Sequence, residues 1–160
     1  MPLAAIALGS NLASPFGDRD ANLRAAAERV GSLGQVRAVS SFYATAPVGY
    51  TDQPEFLNAA LLLETELGPL ELLRALLAIE RAMGRDRTSA PAKGPRIVDL
   101  DMLLLGDVAM ATPELTLPHP AMHERRFVLE PLAEIAPTMV HPLSGSTVAE
   151  MLAHLEPTPG

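Results

Sequence analysis

Gly94-Pro95-Arg96-Ile97-Val98-Asp99-Leu100-Asp101-Met102-Leu103-Leu104-Leu105-Gly106 decides how this chain is read. An apolar run bounded by Gly-Pro on one side and Gly on the other reads as a buried strand. Side chains alternate faces along a strand, so Asp99 and Asp101 point the same way. Two like charges on one face of such a strand are unfavourable unless something positive lies between them. Magnesium suits that position, because it takes one or two carboxylates and completes its shell with substrate phosphates. The competing reading is two surface aspartates on an edge strand, each paired with an arginine. Spacing alone does not choose between them.

Just upstream, the charge changes sign. Arg81, Arg85, Arg87, Lys93 and Arg96 fall in one short window, opposed there only by Asp86. Arg125 and Arg126 follow downstream. The chain as a whole carries a formal charge of −7 over 160 residues. An acidic chain that concentrates arginine in one loop is suited to holding a specific anion. Arginine favours bidentate phosphate or carboxylate recognition. A solvated basic loop is the plainer alternative.

Further outward, the strand of residues 94–106 completes a series. Residues 3–8 form an apolar strand ending at Gly9-Ser10-Asn11, which reads as a tight strand-to-helix turn. Residues 15–33 turn helical, with Leu23, Ala26, Ala27, Val30 and Leu33 on one stripe. Residues 36–44 are rich in β-branched and aromatic side chains and read as a second strand. After the loop 46–54, residues 56–64 read as a third. Pro69 opens a strong helix carrying a Leu72, Leu76, Ile79 and Met83 stripe, and Gly84 stops it. The fold class expected is α+β, with a ferredoxin-like β-α-β-β-α-β core, an antiparallel sheet and extra C-terminal helices near 129–135 and 148–155. Pro131 limits where the first of these can begin. Residues 156–160 read as a frayed tail.

That topology gathers the irregular segments. If the first strand runs upward, Gly9-Ser10-Asn11, the 46–54 loop and the 85–95 loop all emerge at the top edge. Asp99, Asp101, Phe56 and Asn58 begin descending strands at the same edge, and Glu80 lies near the top of the second helix. Loops carry function where a rigid scaffold points them at one place. Paired carboxylates, an arginine cluster and an aromatic/amide pair together suggest phosphoryl-type transfer. No Gly-Lys-Ser/Thr phosphate loop is present.

Composition excludes other classes. There is no cysteine, so disulfides and thiolate metal sites are ruled out, and a reducing compartment fits. No apolar run is long enough to span a bilayer. The start, Met1-Pro2-Leu3-Ala4-Ala5-Ile6, has no basic leader region and reads straight into a strand. Net acidity and few aromatics speak against a single-stranded RNA binder of similar topology.

Several segments together resemble the 6-hydroxymethyl-7,8-dihydropterin pyrophosphokinase family of folate biosynthesis. They are Ile6-Ala7-Leu8-Gly9-Ser10-Asn11-Leu12, the Ser40-Ser41-Phe42-Tyr43-Ala44-Thr45-Ala46-Pro47-Val48-Gly49 stretch, and Asp52-Gln53-Pro54-Glu55-Phe56-Leu57-Asn58. The match continues through residues 80–87 and 94–106, Leu117-Pro118-His119-Pro120 and Arg125-Arg126-Phe127. It runs in order from about residue 3 to 142. The resemblance implies one pyrophosphokinase domain over residues 1–160. Pyrophosphate would pass from ATP, the co-substrate, to the pterin hydroxymethyl group, releasing AMP.

The resemblance also implies two Mg2+ ions held by Asp99 and Asp101. Arg85 and Arg96 would hold phosphates, with His119 and Glu80 on the nucleotide side. Phe56 and Phe127 would sandwich the pterin, Asn58 would read its polar edge, and backbone groups of Thr45, Pro47 and Val48 would line the pocket. Arg87 and Arg125 would close in from loops. The expected partners are these small molecules, with neither nucleic acid nor membrane, and a monomer in the cytoplasm is expected.

The chain departs from the family's habit in places. Lys93 stands where an aromatic often precedes Gly-Pro-Arg, and Ala90-Pro91-Ala92 lengthens that loop. Pro120 replaces an aromatic of some members, and Phe56 lacks the hydroxyl of a tyrosine found in others. Stacking needs only the ring face, so it survives these changes. A catalytically inactive nucleotide-binding module of the same fold is the alternative, separated by whether AMP forms.

Overall fold

The computed structural model describes residues 2–10, 18–45, 56–84 and 98–155, with Thr45 described at its backbone only. Arg85, Arg87, Lys93, Arg96, Pro47, Val48 and the Thr45 side chain therefore lie outside the described residues, as do the 46–54 and 85–95 loops and the 156–160 tail. In chain order the elements are β1 (Leu3–Ser10), α1 (Arg19–Val30), β2 (Gln35–Val39), β3 (Tyr43–Thr45), β4 (Phe56–Glu64), α2 (Pro69–Ala82) and β5 (Asp99–Leu105). A small hairpin, β6 (Met110–Ala111) and β7 (Thr116–Leu117), precedes α3 (Arg126–Ile135) and α4 (Val148–His154). The main sheet runs β2-β4-β1-β5, with β3 also paired to β4. All pairings are antiparallel, as the ferredoxin-like arrangement requires.

Local chemistry explains where elements start and stop. The Asp18 carboxylate accepts from the Ala21 N–H at 3.0 Å, so α1 begins at Arg19; the expected start at residue 15 lies outside the described residues. Gly34 is required by a close approach: a Cβ there would lie 2.1 Å from the Glu64 carbonyl oxygen. Pro69 opens α2, and the Glu71 carboxylate reaches back to the Gly68 N–H at 3.1 Å. The helix ends before Gly84, whose φ of 99° suits a residue without a Cβ.

Three expectations need correction. The strand expected over 36–44 is two strands, β2 and β3. Ser40 diverts the backbone: its hydroxyl accepts from the Ala60 N–H at 2.9 Å and donates to the Ser41 carbonyl at 2.7 Å. Gly9 and Ser10 are not a turn but the paired end of β1, opposite Asn58 and Leu57. The third helix starts at Arg126, ahead of residue 129, and Pro131 lies inside it. Proline cannot donate there, yet the helix continues, and the Ala136 N–H still reaches the Leu132 carbonyl at 2.7 Å.

The sheet buries both faces differently. Ala4, Ile6, Leu8, Leu61, Leu63, Leu100 and Met102 pack against Leu23, Ala26 and Val30 of α1 and Leu72 and Leu76 of α2. On the other face Ala5, Ala60, Leu62, Leu103 and Leu104 pack against Val128, Leu129 and Leu132 of α3 and Val148 and Met151 of α4. A register shift in β5, opposite Ala5 and Ile6, puts both Leu103 and Leu104 on that second side. Ser10, Thr45, Phe56 and Asp99 all lie at one end of the sheet, by register. The strand ends thus converge as the topology predicted.

Candidate active site

Registers set the floor of the site. Tyr43, Asn58, Gly9 and Asp99 stand in one row across four strands. Ala60, Ala7 and Asp101 stand in the next. With neighbouring strands about 4.8 Å apart, Asn58 and Asp99 face each other across roughly 10 Å. Gly9 keeps the interval low: a Cβ there would sit 3.4 Å from Asn58 Oδ1 and 3.9 Å from Asp99 Cβ. Ala7 is the small neighbour of Asp101. This row belongs to the α3 face, since Asn58 is in phase with Ala60 and Leu62.

Asp99 and Asp101 do share that face, Asp99 half-buried and Asp101 exposed. Two oxygen donors on a strand, beside small residues, fit a hard divalent cation. Among the described residues no group of three or more His, Asp or Glu could hold a metal by itself. Paired carboxylates of this kind suit a cation such as magnesium, which commonly leaves the rest of its shell to water and phosphate.

Glu80 reaches the same strand from the opposite face. It is buried on α2, with 2% of its surface exposed, and its Oε2 accepts from the Leu100 N–H at 2.7 Å. β5 is an edge of the sheet. The carboxylate thus satisfies the backbone donor lying between the two aspartates. The topology expected Glu80 near the top of the second helix, and the resemblance implied a nucleotide-side place for it; this bond to β5 was not legible in the sequence.

The wall comes from the chain after β7. The His119 N–H donates to the Leu103 carbonyl at 2.9 Å, docking this segment on β5 two residues beyond Asp101. His119 Nδ1 accepts from the Ala121 N–H at 3.2 Å, so the neutral ring carries its proton on Nε2 and presents a donor. Burial pushes its pKa down, and the nearby Arg125 guanidinium pushes the same way, so the ring is neutral at pH 7. Arg125 caps α3, its guanidinium carbon 5.7 Å from the centre of the Phe127 ring. Arg126 turns away, donating to Glu130 at 3.3 Å and to the Leu155 carbonyl at 3.4 Å.

Phe56 opens β4 in phase with Asn58, so it too faces the α3 side, and it is half-buried like Phe127. The structure therefore gathers Asn58, Asp99, Asp101 and Phe56 on one face, with His119, Arg125 and Phe127 on the chain that covers it. Glu80 stays behind the sheet. Two features were missed in the sequence. Asn22 and Ser10, both fully buried, join at 3.2 Å and tie α1 to the end of β1. Glu134 of α3 bonds Ser41 and Tyr43. For Asn22 the available signal was a polar residue in line with Ala26 and Val30; the exposed Glu134 offered none.

Residues 5–137 match the family model described as 7,8-dihydro-6-hydroxymethylpterin-pyrophosphokinase (HPPK). The chain is 44% identical over 160 residues to a 2-amino-4-hydroxy-6-hydroxymethyldihydropteridine pyrophosphokinase of Methylorubrum extorquens, covering 99% of this chain and 96% of that one. It is 47% identical over 135 residues to the protein of the same name from Bacillus subtilis, covering 83% and 77%. A folic acid synthesis protein of Schizosaccharomyces pombe is 39% identical over 155 residues, 96% of this chain but 20% of that longer one. Among solved structures, an HPPK-DHPS in complex with substrates superposes with a TM-score of 0.70 at 14% identity. The match covers 95% of this chain and 43% of that one.

Proposed function

The chain belongs to the 7,8-dihydro-6-hydroxymethylpterin-pyrophosphokinase family, enzymes of folate biosynthesis, and on that premise we propose how its residues divide the work. The pterin hydroxymethyl oxygen attacks the β-phosphorus of ATP. The bond from that phosphorus to the oxygen bridging the α-phosphorus breaks, AMP leaves with the electron pair, and the hydroxyl proton is lost. Such chemistry needs positioning and charge stabilisation more than covalent help from the protein.

The observation that carries the reading is the row across the sheet. Asn58 and Asp99 face one another across Gly9, with Asp101 beside them. Asn58 would fix the polar edge of a pterin whose faces meet Phe56 and Phe127, with backbone groups of Thr45, Pro47 and Val48 closing the pocket. Asp99 and Asp101 would hold Mg2+, two ions in all, between themselves and the triphosphate. Magnesium, when bound, neutralises phosphate charge and polarises the phosphorus under attack. His119 Nε2–H and Arg125 would donate to phosphate oxygens, joined by Arg85, Arg87 and Arg96. Glu80 serves the nucleotide side through its bond to Leu100.

We further propose that residues 1–160 act as one domain, as a monomer in the cytoplasm, without nucleic acid. The net charge of −7 speaks against nucleic acid, and a chain without cysteine fits a reducing compartment. No helix among the described residues is long and apolar enough to cross a membrane. The test is direct: incubation with magnesium, ATP and 6-hydroxymethyl-7,8-dihydropterin should release AMP and the pterin pyrophosphate. Binding of ATP with no AMP would reduce the chain to a nucleotide-binding module.

A further inference from the structure

Most of what holds α3 on the sheet is apolar. Val128, Leu129 and Leu132 press on Ala5, Ala60 and Leu62. Such contact is strong but non-directional and does not set an angle. Glu134, near the C-terminal end of α3, is directional. Its carboxylate accepts from the Ser41 N–H at 2.9 and 3.1 Å, from the Ser41 hydroxyl at 3.1 Å, and from the Tyr43 hydroxyl at 2.6 Å. Those donors lie 93 and 91 residues away in sequence. They belong to the break after β2 and to β3, whose Tyr43 pairs with Asn58 and whose Thr45 pairs with Phe56.

Helical geometry carries this clamp to the site. Phe127 and Glu134 are seven positions apart, so they lie on nearly one face of α3, about 10 Å apart along its axis. We propose that Glu134 is a positioning residue: by tying the far end of α3 to β3, it fixes how Phe127 stands relative to Phe56 and so sets the slot for a flat pterin ring. The proposal rests on the reading that these two rings sandwich the pterin. Protonation suits the clamp at neutral pH. The hydrogen bond to Tyr43 holds the Glu134 carboxyl below its ordinary range, and the same bond pushes the phenol above its own. The side chain is exposed, so removing it strands no buried charge and the variants should fold.

The experiment compares KM for 6-hydroxymethyl-7,8-dihydropterin and KM for ATP in the wild type, Glu134→Ala, Glu134→Gln, Tyr43→Phe and Phe127→Ala. Glu134→Ala should raise the pterin KM about tenfold while the ATP KM stays within about twofold, as expected when a group is displaced rather than lost. Glu134→Gln should recover most of this, because its amide oxygen still accepts from Ser41, and Tyr43→Phe should fall between. A purely structural role would lower the melting temperature and active fraction without moving one KM selectively, and that result overturns the proposal. If Phe127→Ala raises the pterin KM and Glu134→Ala does not, the positioning role fails and the sandwich stands. A silent Phe127→Ala removes the slot, and the proposal with it.

Discussion

Against α1 and α2 the sheet presents Ala4, Ile6, Leu8, Leu61, Leu63, Leu100 and Met102, apolar up to the buried Ser10 that ends β1. Against α3 the same strands present Ala5, Ala60 and Leu62, and then, at one end, Asn58, Gly9, Asp99 and Asp101. The period of two along each strand makes both surfaces at once. The first is mainly a water-excluding surface, tied at its end by Ser10 to Asn22 and by the Leu100 N–H to Glu80. The second packs where α3 covers it and changes to polar and small residues towards the end where the strand ends converge. Stability and chemistry are thus assigned to alternate residues of the same strands, and substitutions one position apart should have different consequences.

The sharpest separation is expected at Asp99 and Asp101. Asp99→Asn or Asp101→Asn should cut kcat by about two to three orders of magnitude, the range seen when a group stabilising transition-state charge is removed. Pterin affinity should change little, and thermal unfolding should stay near wild type. Equal losses in turnover and pterin affinity would deny these residues a role confined to the phosphates.

Next in size is Leu61→Ala, on the closed face. Leu61 is fully buried, and truncation should cost about 2–5 kcal/mol in chemical denaturation. Activity per folded molecule should be unchanged below the unfolding transition. Loss of kcat in the folded fraction would mean that the two faces are coupled through the sheet.

Glu80 tests that coupling more finely, since it approaches from the closed side yet holds the strand of the two aspartates. Glu80→Ala leaves the Leu100 N–H without this acceptor, a loss of about 1–3 kcal/mol. It should also raise the magnesium concentration needed for half-maximal rate. Glu80→Gln keeps an oxygen acceptor and should restore both. If Gln behaves like Ala, the charge matters and the capping of Leu100 does not.

Much of this contrast was legible before the structure. The Asp-Leu-Asp run announced a shared face because strand periodicity is strict, and residues 56–64 were bounded as observed for the same reason. What failed was local. The 36–44 run has the composition of one strand, but Ser40 bonds across to Ala60 and Ser41 turns to a helix far along the chain. Gly9 looked like a turn because glycine marks turns; here it is paired, and its missing side chain leaves room for Asn58. Pro131 placed the start of the third helix too late: the helix begins at Arg126 and holds Pro131 buried inside it. Long-range partners leave no periodic trace, so Glu134, Ser41 and Tyr43 could be seen as polar residues but not as a cluster.

The smallest expected effect concerns pH, and it should fall on one side of the molecule. All four histidines follow residue 118, and none lies on α1 or α2. His119 and His141 both titrate below the ordinary histidine range, chiefly through burial. An unfolded histidine takes up its proton near pH 6.5. Between that value and the lower folded one, the unfolded chain binds more protons, so stability falls as pH drops through the window and levels off once the folded rings are charged. His119→Asn offers a clean probe, because the amide oxygen can take over the Ala121 N–H that Nδ1 now accepts. Urea unfolding at pH 7.5 and 5.5 should show a smaller pH-dependent loss in this variant than in the wild type. An unaltered loss would move the acid sensitivity to His141 and its turn, where Nδ1 accepts from the Leu143 and Ser144 N–H groups at 3.3 and 3.2 Å. Hydrogen exchange at the lower pH should then loosen the α3–α4 connection first, while the face against α1 and α2 keeps its protection.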